Sequence, residues 1–524
     1  MIKQQHQRSA IQALSLMFVF VSISLIPIWT VHTPPLTDYP NHMARMHILV
    51  NAHQSPTLQQ YYEVRWAVLP NLAMDIVIPT LALVLPLAVA GKVFLSLIFL
   101  VLSLGVFALH RALHGEYSAW PVLSVLFLYN NVFRLGFLNY LFGVGLALLA
   151  LAAWVIFRHR PWKLVVPVFS LFSVLMFFSH LFAFGFYCLT LLAYEFGQYR
   201  LRRRDRVPLS QPIWPKAVTH LIVPLMLFAI SPTFHGKPDQ EPPKTLEAKP
   251  TWHWRSTYGL LWSSSLTTYG DFSRKIDAFK GTLRTYNPTL DRITLVVLMA
   301  VGILGLATRR IKLNRSMYWP LAGVAVASLA IPAEIATANV VEIRLPTALI
   351  LLSIAGSTMA FRGKAWTGIV AGTLTVVFLI RMGYITDQWH VADRKYDEYL
   401  TAIDRVPDGA TLFPTVVYPT QGHFPGAIPD FHVASWAVLK KSAFVPNIFA
   451  FPTQQPLAIR KPYRNLMLSD WYFPRSEIPW DSILEQYQYV LLIRGKLLEH
   501  PVPSSLIPIF VGEDFQLYKA PNRH

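Results

Sequence analysis

A carboxylate, two imidazoles and a guanidinium are concentrated in the stretch Pro34-Pro35-Leu36-Thr37-Asp38-Tyr39-Pro40-Asn41-His42-Met43-Ala44-Arg45-Met46-His47. Asp38 is of the type that accepts a proton from an attacking hydroxyl, and Arg45 of the type that clamps an anion. His42 and His47 could join Asp38 around a divalent metal, although their spacing of five is awkward for one helical face. Prolines on both sides of Asp38 restrict the backbone and set the acid on a stiff turn. A helix beginning near Asn41 puts Arg45 one turn further on the same face. The bland alternative is a turn whose acid caps a helix and whose arginine pairs with that acid or with lipid headgroups.

The elements that must position these groups are membrane elements. The stretch follows the uncharged apolar run Ile11 to Val31, which is long enough to cross a bilayer. Hydrophobic residues make up 53% of the chain and charged residues only 14%, far below the quarter expected of a soluble globular protein. Ile11 to Val31 is too long for a signal peptide and lacks a small-residue cleavage site, so it reads as a retained anchor. Lys3 and Arg8 before it place the N-terminus in the cytoplasm and the Asp38 stretch outside. The formal net charge of +18 falls largely in short loops between apolar runs, where it sets topology; nucleic-acid binding is not implied. The single cysteine, Cys188, excludes an intrachain disulfide and reads as a packing residue.

Further apolar runs fall at 72–90, 92–110, 119–133, 136–157, 163–180, 181–197, 214–230, 292–308, 316–331, 345–360 and 365–381. Basic clusters at Arg158–Lys163, Arg200–Arg206, Arg309–Arg315 and Arg362–Lys364 all belong in the cytoplasm by the positive-inside rule. Between the exterior Asp38 loop and the interior Arg158 cluster the number of crossings must then be odd. The 72–90 run, with Asp75, Pro79 and Pro86, is the one expected not to span; it reads as an interfacial or re-entrant segment. The expectation is therefore an all-α membrane bundle of about eleven spanning helices plus that segment over residues 1–381. Residues 382–524 are expected to form an exterior, periplasmic α/β domain. Within it Tyr396 to Ile403 reads as helix, and Thr411 to Val417, Tyr487 to Ile493 and Phe515 to Tyr518 as strands.

This topology gathers the remaining polar groups on the exterior side. They are Asn130, Asn131, Arg134 and Asn139 around a tight turn, His180 between two runs, and Glu334, Asn339, Glu342 and Arg344 in a late loop. Each has a structural reading as well: helix caps for the asparagines and His180, snorkelling for Arg344, and pairing of Glu334 or Glu342 with Arg344. Trp252, Trp254, Tyr258, Trp262 and Tyr269 read as an interfacial aromatic belt, with sugar stacking as the alternative. Transfer of a sugar from a lipid phosphate suits such a set. The leaving phosphate is already a stable anion, so one carboxylate to take the acceptor's proton suffices, and an arginine or a metal holds the departing phosphate.

An acid just after the first transmembrane run, a long first exterior loop with an interfacial segment, many spans and an exterior C-terminal domain together resemble the GT-C glycosyltransferases. That class includes the protein mannosyltransferases and the aminoarabinose transferases acting on lipid A. The resemblance implies a polyprenyl-phosphate-linked sugar donor and a glycan, lipid or protein acceptor at the exterior face of a bacterial inner membrane. It implies that Asp38 acts as base or orients the acceptor and, by position, that Arg344 binds the donor phosphate; by residue type and exterior placement Arg45, His42, Arg134, Asn131, His180 and Glu334 are further candidates for substrate binding. Many members carry a second acid beside the first, where this chain has Tyr39, so a divalent metal stays an open possibility. Two other classes stay open: a transporter or flippase for a lipid-linked glycan, and a non-catalytic membrane assembly protein.

Overall fold

The computed structural model describes residues 2–205, 213–235, 267–268, 272–335, 340–360, 364–418, 428–464, 466, 472–474 and 478–521. The aromatic set Trp252, Trp254, Tyr258, Trp262 and Tyr269, and Asn339, lie outside them.

Among the described residues six helices are long and apolar enough to cross a membrane: Ala10–Thr30, Leu87–His114, Leu138–Phe157, Trp162–Ser179, Pro288–Ala307 and Trp366–Ile403. The runs at 181–197, 214–230, 316–331 and 345–360 are helical as well. They form Leu181–Arg204, which ends in a basic turn, and the shorter Trp214–Ile230, Tyr318–Ala330 and Arg344–Gly356. Leu87–His114, Leu138–Phe157 and Leu181–Arg204 pack side by side at the centre, around Phe94, Leu148, Leu151 and Tyr187. Gly105 and Gly145 make that contact close, since a methyl group at either would meet the neighbouring helix at under 3 Å.

Two runs depart from regular spans. The 72–90 run breaks into the nine-residue helix Ala73–Leu81 and a turn before Leu87, so it is not one continuous helix. The 119–133 run, expected as a spanning helix, forms instead the eight-residue 3-10 helix Trp120–Phe127, which at about 2 Å per residue extends about 16 Å. It begins next to Pro121 and is buried among Ile2–Thr30, Leu87–His114 and Arg344–Gly356, where irregular backbone escapes contact with lipid. Trp120 Nε1 donates to Ser357 Oγ (3.0 Å) at one end, and Tyr129 Oη donates to the Ser24 carbonyl (2.9 Å) further along. At about 16 Å this segment is shorter than the roughly 30 Å hydrocarbon core that the expected spanning helix would have crossed.

Lys364–Ile403 is a single helix of 40 residues, about 60 Å long, and the 381/382 boundary falls inside it. Its C-terminal half enters a second core. There a five-stranded sheet runs in the order Ile507–Val511, Phe515–Lys519, Tyr489–Ile493, Leu412–Tyr418, Tyr472–Pro474. Leu412–Tyr418 is parallel to both its neighbours, and Phe515–Lys519 is antiparallel to Tyr489–Ile493. The first loop shares this core: Ala44, Ile48, Leu58 and Tyr62 pack with Phe444, Val445 and Ile459. A short antiparallel pair, Tyr62–Val64 with Leu457–Ile459, fixes the register between the two.

Candidate active site

Asp38 is the N-cap of the Tyr39–Asn51 helix, but its side chain makes no capping hydrogen bond. The turn that carries it is anchored from both sides. Upstream, the Asp393 carboxylate accepts from the His32 and Thr33 amides (2.7 and 2.8 Å), tying the end of the first helix to the 40-residue helix. Downstream, Thr37 N donates to the Arg134 carbonyl (3.0 Å) and Asp38 N to the Leu135 carbonyl (3.1 Å). Gly136 lies directly against the acid, with a positive φ of 97°; a Cβ there would stand 2.7 Å from Asp38 Cβ.

The next residue along this wall serves the arginine. The Arg344 guanidinium is sandwiched between the rings of Phe137 (4.8 Å) and Phe182 (4.7 Å), and Tyr140 Oη donates to the Arg344 carbonyl (2.8 Å). Arg344 is buried, and its charge acts on both Asp38 and His180. Residues 134–140 thus place the acid and the cation on one strip of backbone.

Burial drives the Asp38 carboxyl up to about 8, against the opposing pull of Arg45 and Arg344. Its side chain retains 17% exposure. An acid whose pKa rises on folding binds its proton more tightly in the folded state. Asp38 therefore costs folding stability increasingly as pH climbs from about 4 through about 8. A carboxylate held under such tension is poised to take a proton.

The other sequence candidates divide. The His42 imidazole Nε2 meets the Gly136 carbonyl at 3.1 Å, and its Nδ1 is buried without a hydrogen bond, beside the acid. Arg45, expected to clamp an anion or pair with Asp38, is buried in a bidentate pair with Asp75: Nε to Oδ1 at 2.6 Å and Nη2 to Oδ2 at 3.1 Å. Asp75 comes from the broken 72–90 run, which is thereby fastened to the first loop. Replacing Asp75 by Ala strands a buried guanidinium and is expected to cost about 3–5 kcal/mol, read as a large fall in the melting temperature of detergent-solubilised protein. A compensating Arg45→Met in the same chain should recover most of it.

Arg134 lends its carbonyl to the site, while its guanidinium stacks 4.4 Å over Tyr286, which accepts from Trp389 Nε1. Asn131 N donates to the Gly281 carbonyl (2.8 Å), and its buried Oδ1 has no hydrogen bond. Asn130 caps the Asn131–Leu135 helix, and Asn139 holds Met74 N (2.8 Å). His180 caps the Leu181–Arg204 helix through Phe182 N (3.1 Å) and packs edge-on against Tyr140. Glu334 lies in a two-residue strand paired with Thr267–Thr268. Glu342 pairs with Arg274 (Nη2 to Oε1 2.5 Å) rather than with Arg344. His47 Nδ1 meets Asn51 Nδ2 at 3.2 Å, away from Asp38. Among the described residues no group of three or more His, Cys, Asp or Glu is placed to hold a metal ion.

Two features escaped sequence reasoning. His432, from the C-terminal part, brings Nε2 to 3.5 Å from Asp38 Oδ1. Nothing local in the sequence connects positions 432 and 38. An apolar cavity of about 220 Å³ opens beside Arg344, between Leu181, Phe182, Gly185, Phe186 and Leu189 on one helix and Ile331 and Leu345 opposite. Phe182 belongs to both the cavity and the cation sandwich.

No family model matches the sequence, and no curated protein matches it. A solved structure does match the fold: ArnT from Cupriavidus metallidurans bound to undecaprenyl phosphate, with a TM-score of 0.55 over 96% of this chain and 97% of that chain. The chain has the ArnT fold. The two sequences are 9% identical, so the likeness is one of fold. In this chain the 40-residue helix holds both the Asp38 turn, through Asp393, and the segment that carries His432, through Lys395 and Tyr399.

Proposed function

We propose that the chain is a membrane glycosyltransferase that moves a sugar from a polyprenyl-phosphate-linked donor to an acceptor hydroxyl. The observation that carries this reading is the common wall 134–140, which sets Asp38 against Gly136 and Arg344 against Phe137. Asp38 takes the acceptor's proton as the acceptor oxygen attacks the anomeric carbon. The bond from that carbon to the phosphate oxygen breaks, and Arg344 holds the phosphate that leaves. With one carboxylate and one displacement, the anomeric configuration inverts. The cavity beside Arg344 has the apolar lining that the first part of a polyprenyl tail requires. The ArnT structure, bound to undecaprenyl phosphate, supports a lipid of that class. The site end is read as facing the exterior of a bacterial inner membrane, with the basic clusters on the cytoplasmic side.

The test is transfer by purified protein in liposomes from synthetic undecaprenyl-phosphate sugars, followed across pH. A base with its pKa near 8 works only as the carboxylate, so kcat/KM should rise about tenfold per pH unit below about 8 and level above it. A rate independent of pH between 6 and 9 would remove Asp38 from the base role.

A further inference from the structure

The C-terminal part reaches the active-site acid through one side chain. His432 sits at a kink in the 3-10 segment Pro429–Ser435, and that segment is clamped by charge. Asp430 Oδ2 accepts from Lys395 Nζ (3.0 Å) and Tyr399 Oη (3.3 Å), and Arg494 stands 3.7 Å from Oδ1. Tyr396 Oη donates to the Pro429 carbonyl (2.5 Å). Lys395, Tyr396 and Tyr399 all lie on the 40-residue helix, which also anchors the Asp38 turn through Asp393. One rigid element therefore fixes both partners. His432 is 2% exposed.

The hydrogen bonds around Asn41 decide which ring nitrogen of His432 carries the proton. Asn41 Oδ1 accepts from the Phe449 amide (2.7 Å), and Asn41 Nδ2 donates to the Asn447 carbonyl (2.6 Å). Both contacts are to backbone groups whose roles cannot reverse, so the orientation of this amide is set. The same Nδ2 faces His432 Nδ1 at 3.1 Å, and Asn447 Nδ2 faces it at 3.3 Å. Nδ1 is then the acceptor, and the hydrogen resides on Nε2, the atom 3.5 Å from Asp38 Oδ1. Burial holds the imidazole pKa down to about 3, so the ring is neutral and the contact is a polar N–H against a carboxylate, not an ion pair. Among the described residues the other charged or titratable groups around Asp38 are His42 and Arg45 from its own helix and Arg344 from the helix opposite.

We infer that His432 is a positioning residue for Asp38: its Nε2–H holds Oδ1 and leaves Oδ2 for the acceptor hydroxyl, making the C-terminal part a component of the active site. The inference rests on the reading of Asp38 as the base. At 3.5 Å the contact is loose and tightens as Asp38 loses its proton, because the N–H then meets a full negative charge. A histidine used as base would need a free Nδ1 or Nε2 lone pair; here Nδ1 is occupied, so His432 orients and the acid reacts.

Two measurements on the full-length protein in nanodiscs test it. The first is the nitrogen-15 spectrum of histidine-labelled protein, with the His432 signal identified by its disappearance in His432→Gln. The expected result is an Nε2–H tautomer whose shift changes as pH crosses the Asp38 titration. An Nδ1–H tautomer, or a signal indifferent to that titration, overturns the inference. The second is the infrared carboxyl band that Asp38→Asn removes. Its titration midpoint should rise by about one pH unit in His432→Leu, which lacks the N–H, and by much less in His432→Gln, which can offer an amide N–H. In transfer assays kcat should fall about tenfold or more in His432→Leu, with KM for the lipid donor within twofold and partial recovery in His432→Gln. An unmoved midpoint with unchanged kcat in folded His432→Leu also overturns it. Should the wild-type protein transfer no sugar, the tautomer and the midpoint still decide the Asp38–His432 contact, and the proposed function alone falls.

Discussion

Asp38→Asn is expected to reduce sugar transfer by about 10³-fold while leaving the protein folded and able to bind the lipid donor. General-base catalysis by a positioned side chain is worth about 10²–10⁴-fold. The amide has the shape of the carboxylic acid but cannot take a proton from the acceptor. The sign of the Asp38 titration makes the folding half of this expectation specific. The carboxylate is desolvated, so above about pH 8 it weighs against the folded state; a neutral amide does not. Asp38→Asn should therefore melt no lower than wild type at pH 8.5, and the advantage should vanish near pH 4. Undiminished transfer would remove the acid from the chemistry. A large drop in melting temperature with no change in turnover per folded molecule would make it a structural cap.

Arg344→Ala should weaken binding of undecaprenyl phosphate by about 100-fold, about 3 kcal/mol, the upper end of what hydrogen bonds to a charged group contribute. Turnover should fall further, since the charge that remains on the departing phosphate is then held by nothing of equal strength. Lysine is a poor substitute. The guanidinium is a flat cation held between the rings of Phe137 and Phe182, and an ammonium neither stacks between them nor offers a fork to two phosphate oxygens. Arg344→Lys is expected to recover less than a tenth of the lost affinity. Titration calorimetry in detergent with the phosphate lipid, against the same lipid lacking phosphate, measures this directly. Equal affinity of Arg344→Ala and wild type for the phosphate lipid would move the anion site elsewhere.

What can be read along the chain follows from how far each signal reaches. Apolar runs, basic clusters and the prolines around Asp38 act locally. Most helices, the break in the 72–90 run and three strands of the sheet near Leu412, Tyr489 and Phe515 are therefore legible in the order of residues. Periodicity fails where burial overrides it. The 119–133 run is as apolar as its neighbours, but it is enclosed by helices on its sides and takes 3-10 form there instead of a regular spanning helix. Asp75 looks like a flaw in an apolar run, and only the fold shows that it neutralises Arg45.

The sequence alone determined that this is a multi-pass membrane chain with an acid on a rigid turn just past its first run and an arginine at the mouth of a late one, because hydropathy and backbone restriction are properties of neighbouring residues. Only tertiary structure decided that Gly136 and Phe137 would hold those two groups along one wall, and that His432 would stand beside the acid from nearly 400 residues away. Those meetings depend on the 40-residue helix and on packing between segments remote in sequence. Contacts of that range are set by how whole elements close-pack, which no local pattern of residues encodes.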